Sequence, residues 1–218
     1  MTTTRWSVPV QLLLLASLGA MAGMLIGELW TVAATADQPL LWWAGRASGL
    51  VAYGALWLSM LFGLAISSKG AGGLLPKKLM MDLHQQWTLS AVVAAVVHVL
   101  TIVLHAESHI SAWAIVVPFA SARLTGAVAL GTIALFGLVT VSASSWLRTY
   151  IPYQAWRSIH ALAFGTMLLA LGHAVTAGTD AGLPGIEVLY VLTTAVLVGA
   201  IVTRVALAMS TSGGRSTA

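Results

Sequence analysis

Four histidines, His84, His98, His160 and His173, fall in two pairs on two long apolar stretches, with 13 residues between the members of the first pair and 12 between those of the second. An imidazole inside a membrane helix is costly and by default marks a functional site. The sequence around His98 and His173 is nearly free of charge, so something must compensate their burial. Neutral imidazole is a good ligand for haem iron, and an electron-transfer haem takes one axial ligand from each side. Two helices with two histidines each supply two complete ligand sets, and the pattern predicts two stacked haems.

The elements that must position these residues follow from composition. The chain has 218 residues, is 59% hydrophobic and 7% charged, and its mean hydropathy is +0.93. A water-soluble domain of this size cannot carry such a surface, so an integral membrane protein is expected. A helix crossing the hydrocarbon core needs about 20 mainly apolar residues. Six such segments are read, near 8–30, 42–67, 83–105, 124–147, 155–177 and 186–208, followed by a short tail over 209–218. The expected fold is an all-α membrane protein, a single domain over 1–218 built as a six-helix bundle. Breakers separate the spans: Asp37 to Pro39, the glycine-rich run from Lys69 to Pro76, Pro118, Pro152, and Gly182 to Gly185. The 8–30 segment is longer than a signal-peptide core and carries Gly19, Gly23 and Gly27 at four-residue spacing, a stripe suited to close helix packing.

Lys and Arg concentrate in cytoplasmic loops. With the N-terminus inside, eight of the ten fall on the inner side (Arg5, Lys69, Lys77, Lys78, Arg148, Arg157, Arg204 and Arg215), leaving Arg46 and Arg123 at outer ends. Both termini are therefore expected in the cytoplasm, and a bacterial inner or plasma membrane is the expected location. The net charge of +4 is spread over several loops, which points away from nucleic acid. Trp30, Trp42, Trp43, Trp87, Trp113, Trp146 and Trp156 gather at span ends, as an interfacial belt does.

With this topology the 83–105 and 155–177 spans cross in the same direction. His84 and His160 then lie near the inner surface and His98 and His173 towards the outer one, two levels roughly 20 Å apart at 1.5 Å per residue. Ligands pair at equal depth, His84 with His160 and His98 with His173. Rotation fits less well: 14 residues return to within roughly 40° of the starting face, whereas 13 leave about 140°. A bulge or kink near Gly165 is expected to correct the register. Haem propionates need cationic partners, for which Arg46 and Arg123 are candidates at the outer level and Arg157, Lys77 or Lys78 at the inner one. His105 and His109, four apart with Glu107 between them, are a weaker candidate for a metal-binding helix face. With no cysteine, thiolate-held iron–sulfur clusters and covalent haem attachment are excluded, and any haem is b-type.

Several short motifs accompany the histidines: Trp43-Ala-Gly-Arg-Ala-Ser-Gly49, Asp82-Leu-His84, Pro118-Phe-Ala-Ser121, Tyr153-Gln-Ala-Trp156-Arg-Ser-Ile-His160 and Gly172-His173. On these the chain resembles, over about residues 42–180, the ferric reductase-like transmembrane domain family. That family includes the membrane parts of ferric reductases and NADPH oxidases and the haem-binding membrane subunit of a bacterial methionine sulfoxide reductase system. The resemblance implies a six-helix bundle that carries electrons across the membrane through two b haems on His84, His98, His160 and His173.

Only Ser210 to Ala218 follow the last span, without a G-x-G-x-x-G unit, so no flavin or nicotinamide domain is expected in the chain. Electrons would come from a cytoplasmic flavin reductase or a membrane quinol and leave for a ferric chelate or an extracytoplasmic partner protein. The rival expectation is a small proton-coupled transporter relaying protons through the intramembrane histidines with Glu28 and Glu187. It lacks the paired Gly/Pro interruptions of inverted-repeat carriers.

Overall fold

The computed structural model describes residues 39–67 and 75–213, and every regular element among them is helical. Five long helices are α1 (Pro39–Ser67), α2 (Lys77–Leu104), α4 (Thr125–Trp146), α5 (Tyr153–Ala177) and α6 (Pro184–Gly213), with a single turn of helix, α3 (Trp113–Val116), between α2 and α4. All five are long and apolar enough to cross a membrane. The expected 8–30 span lies outside the described residues.

Proline sets the starts of four of them. It lacks an N–H and its φ is already helical, so it costs nothing in a first turn whose N–H groups have no partner. Pro39 and Pro184 are the first residues of α1 and α6, while Pro76 and Pro152 stand immediately before α2 and α5. The helices accordingly begin a few residues earlier than the apolar runs alone indicate, at Lys77 instead of 83 and at Tyr153 instead of 155. At the other end α6 continues as helix to Gly213, beyond the expected boundary at 208.

The long helices form two antiparallel hairpins, α1–α2 and α4–α5. On α1, Gly45 lies against His98 and Ser59 against His84; on α4, Ala127 lies against His173 and Ser145 against His160. The first helix of each hairpin thus runs from the His98/His173 level to the His84/His160 level, and the second helix returns. The connection over 105–124 closes the former level. It contains a 3₁₀ turn, Ala106–Ser108, and α3, and is tied down by hydrogen bonds from Ser108 Oγ to the Ile102 carbonyl and from Thr132 Oγ1 to the Ala114 carbonyl, both 2.8 Å.

The last helix, α6, is fastened to α1 by polar contacts within an otherwise apolar cluster of Tyr53, Met60, Leu64, Met167 and Leu197. Thr193 donates from Oγ1 to the Leu189 carbonyl at 2.7 Å, so the Tyr53 hydroxyl, 2.7 Å away, donates to Thr193 Oγ1. Trp57 Nε1 donates to the Thr193 carbonyl at 2.8 Å, and Arg204 Nε to Ser67 Oγ at 2.8 Å. The opposite face of α6 leaves Val191 67% and Leu192 59% exposed, and Leu168 on α5 is 65% exposed. Such an exterior suits hydrocarbon and not water.

Hydrogen bonds between membrane helices average about 0.6 kcal/mol and reach about 1.7 kcal/mol. Tyr53→Phe and Trp57→Phe are therefore each expected to cost about 0.6 kcal/mol, read as a lowered midpoint of thermal unfolding in detergent, with the α1–α2 histidine geometry unchanged.

Candidate functional site

The four histidines stand on α2 and α5, and three of them are held by one rule. His98 donates from Nδ1 to the Gly45 carbonyl at 2.7 Å, His84 to the Ser59 carbonyl at 2.8 Å and His173 to the Ala127 carbonyl at 2.8 Å. A carbonyl only accepts, so Nδ1 carries the proton in each ring, and a neutral imidazole then presents Nε2 as a bare lone pair. Four residues after each accepting carbonyl stands a glycine: Gly49, Gly63 and Gly131. The missing side chain is what lets the ring lie against the helix. A Cβ would stand 2.9 Å from His98 Nδ1 at Gly49, 2.7 Å from His173 Nδ1 at Gly131 and 3.3 Å from His84 Cε1 at Gly63.

His160 is the exception. Ser145 occupies the place that glycine takes at the other three, four residues after the Val141 carbonyl. Its hydroxyl donates to that carbonyl at 2.9 Å, which leaves its lone pairs to accept from His160 Nδ1 at 3.4 Å and from Trp156 Nε1 at 3.5 Å. One proton and two lone pairs are thereby used, and His160 also presents Nε2. The bulge expected near Gly165 is absent: α5 is continuous α-helix from Tyr153 to Ala177. The offset of a 13-residue step is met on the neighbouring helix instead, where a hydroxyl reaches out to a ring that makes no bond to the backbone carbonyl.

The expected pairing by depth is observed. His84 and His160 have ring centroids 6.0 Å apart with planes at 72°, and His98 and His173 have centroids 6.0 Å apart at 77°. A metal held at about 2.0–2.1 Å by one imidazole nitrogen on each side, with roughly 1.1 Å from nitrogen to ring centre, places the centroids about 6.2–6.4 Å apart. Both pairs are within a few tenths of an ångström of that span. The spacing therefore fits a metal that one imidazole of each helix would hold between them, and each ring's second nitrogen is anchored as the N–H of a metal-bound histidine is.

A cavity of about 440 Å³ surrounds the His98–His173 pair, lined by apolar side chains such as Leu50, Val99, Leu135 and Ile186 together with Arg46, Arg123 and Asp180. Its size and mostly apolar lining are those of cofactor pockets, about 300–1,000 Å³. Arg46 makes a bidentate ion pair with Asp180, one arm from Nε to Oδ2 at 2.7 Å and the other from Nη2 to Oδ1, and its guanidinium covers the Trp43 ring at 4.7 Å. Arg123 Nη1 donates to the Glu107 carbonyl at 3.2 Å. Each guanidinium keeps further N–H donors for an anion. At the other level Arg157 and Lys77 are exposed, and Lys78 is bonded to Asp82 at 2.9 Å.

His105 and His109 share no helix face. α2 ends at Leu104, His105 is its C-cap, packed at 5.4 Å from the Trp42 ring, and His109 follows the 3₁₀ turn in a left-handed conformation with φ 54°. The helical pattern fails there because the chain turns back over the cavity. Asp180, Ser145 and Trp156 join the site without having been expected in it. The glycines carried a signal in the sequence: Gly49 and Gly63 repeat the 14-residue step of His84 and His98, and Gly131 and Ser145 repeat it again.

A family model matches residues 40–180, well over half of the chain; its description is a domain of unknown function, DUF8596. The chain belongs to this family. The matched stretch holds both hairpins, all four histidines and the Arg46–Asp180 pair, and stops short of α6. Comparison with curated proteins and with solved structures finds no match.

A methyl group at Gly49 or Gly131 has to displace an imidazole or push the paired helices apart, for which overpacking costs of about 1–3 kcal/mol are typical. Gly49→Ala and Gly131→Ala are expected to destabilise by that amount in thermal unfolding. Gly199→Ala, which meets nothing within 4 Å, is expected to be neutral or stabilising by up to about 1 kcal/mol.

Proposed function

We propose that the protein is a b-type cytochrome that carries electrons across a cell membrane. In this reading the 8–30 segment is a first span, six spans place both termini in the cytoplasm, His84 and His160 hold an inner haem and His98 and His173 an outer one. Electrons come from a cytoplasmic flavin reductase or a membrane quinol and pass to a ferric chelate or a partner reductase outside. The observation that carries the reading is the arrangement of the imidazoles: four rings with Nδ1–H tied to a neighbouring helix and Nε2 left as donor, facing in two pairs at 6.0 Å. Two ligands on opposite sides are what an iron already ligated in its equatorial plane still takes.

When bound, the haem supplies the one-electron iron couple. The chain's own residues do the rest. Carbonyls of Gly45, Ser59 and Ala127 and the Ser145 hydroxyl orient the rings and raise their basicity. Leu50, Leu135 and their neighbours give the cavity its apolar lining, and Arg46 and Arg123, which also line it, are the candidates to meet propionates at the outer level. Arg157, Lys77 and Lys78 are the candidates at the inner one. The two levels are about 20 Å apart along the helices, so electrons need to travel only that far within the protein.

The test is the reduced-minus-oxidised absorption spectrum of detergent-purified protein with haem counted as pyridine haemochrome. Two b haems per chain are expected, falling to one in His98→Ala or His173→Ala and to one in His84→Ala or His160→Ala. A colourless protein that moves protons or solute into liposomes would overturn the reading in favour of the transporter.

A further inference from the structure

Only one of the four rings is joined to the protein surface by aromatic side chains among the described residues. Trp156, one turn before His160 on α5, stacks on its imidazole with centroids 5.0 Å apart and planes at 25°. Tyr153 follows at 5.8 Å from Trp156 and is 65% exposed. The Arg148 guanidinium lies over the Trp156 ring at 5.6 Å from its centroid. Interfacial tryptophans are common, but an ordinary belt residue need not lie parallel to a ligand ring or share a hydroxyl with it. Ser145 accepts from Trp156 Nε1 and from His160 Nδ1 together, which fixes the two rings against each other.

The surface above this stack has a definite charge. Arg148 covers the Trp156 ring, Arg157 stands exposed one turn after Tyr153 on α5, and Tyr150, in the same 3₁₀ turn as Arg148, is 84% exposed. No carboxylate occurs in the sequence between Glu107 and Asp180, and Asp82, near His84 on α2, is paired with Lys78. Exposed rings with guanidinium groups, the one carboxylate at this level being matched by Lys78, are complementary to a planar, negatively charged donor.

We infer that electrons enter the bundle through Trp156 onto His160, from an anionic one-electron donor seated on the Arg148–Tyr153–Arg157 face. This rests on the two-haem reading above. In the step the donor is oxidised by one electron, the ferric iron held by His160 and His84 becomes ferrous, and Trp156 acts as the path without net change. No proton is taken up by the chain. The Ser145 contact makes Trp156 a positioning residue for His160 as well.

The experiment is stopped-flow reduction of the haem-loaded protein by photoreduced flavin mononucleotide, with haem content, midpoint potentials and flavin binding by fluorescence titration measured on each variant. Trp156→Leu is expected to retain two haems and to slow reduction about tenfold, equivalent to about 1.4 kcal/mol in barrier, and Trp156→Phe to restore most of the rate. Arg148→Gln is expected to weaken flavin binding and to reduce the rate about fivefold at low salt, with the difference vanishing as ionic strength rises. If Trp156→Leu loses the haem at His160, Trp156→Phe and Arg148→Gln decide. Rates, binding and salt dependence unchanged in the variants that hold two haems would overturn the inference. So would faster, salt-independent reduction by the neutral, lipid-soluble duroquinol that none of the variants affects. Absence of haem from the unmodified protein would instead remove the reading on which it rests.

Discussion

An imidazole among apolar helices has to give its N–H proton to an acceptor, and most acceptors in a helix bundle are backbone carbonyls already engaged within their own helices. Gly45, Ser59 and Ala127 accept a second proton from across the helix interface, and they do so only because the residue four positions on has no side chain in the way. This local requirement fixes the spacing of α1 from α2 and of α4 from α5. It also fixes which imidazole nitrogen points into the bundle, and with it what the site can bind.

The rule acts at both ends of the α1–α2 hairpin, which is why the glycine step and the histidine step are both 14 residues on α1 and α2, and at one end of α4–α5. On α4 the step is again 14, from Gly131 to Ser145, while on α5 it is 13. Helices of unequal register cannot meet by the same contact at both levels. The protein resolves the mismatch with a serine in place of glycine, and α5 stays α-helical without interruption. A hydroxyl bond at 3.4 Å in place of a carbonyl bond near 2.8 Å makes His160 the most loosely tied of the four, and it is the ring that Trp156 supports from the side.

Around this frame the remaining polar groups serve attachment. The Arg46–Asp180 pair holds the start of α1 to the segment after α5, at the level where the cavity opens, and Thr193 holds α6 to α1 through Tyr53 and Trp57. Both sets lie at the edge of the four-helix unit that carries the histidines. The loop over 105–124 places His109, Phe119 and Leu124 in left-handed conformations that non-glycine residues rarely adopt, and it lies directly over the cavity. Strain of this kind persists only where surrounding contacts over-determine the chain, as the Thr132 and Ser108 bonds do here.

The sequence by itself determined the helical class, the positions of the five described long helices to within six residues at either end, and which rings stand together, His84 with His160 and His98 with His173. These follow from quantities every α-helix shares: apolar length against hydrocarbon thickness, and a constant rise per residue that turns sequence separation into depth. Rotation about the helix axis was legible only as a misfit, and the bulge inferred from it does not exist. What holds each imidazole, why Ser145 differs from Gly49, Gly63 and Gly131, and how Asp180 reaches Arg46 were decided by the tertiary structure alone. The acceptors are backbone carbonyls, which every residue carries without distinction, and only the packing of one helix on another selects which of them is within reach.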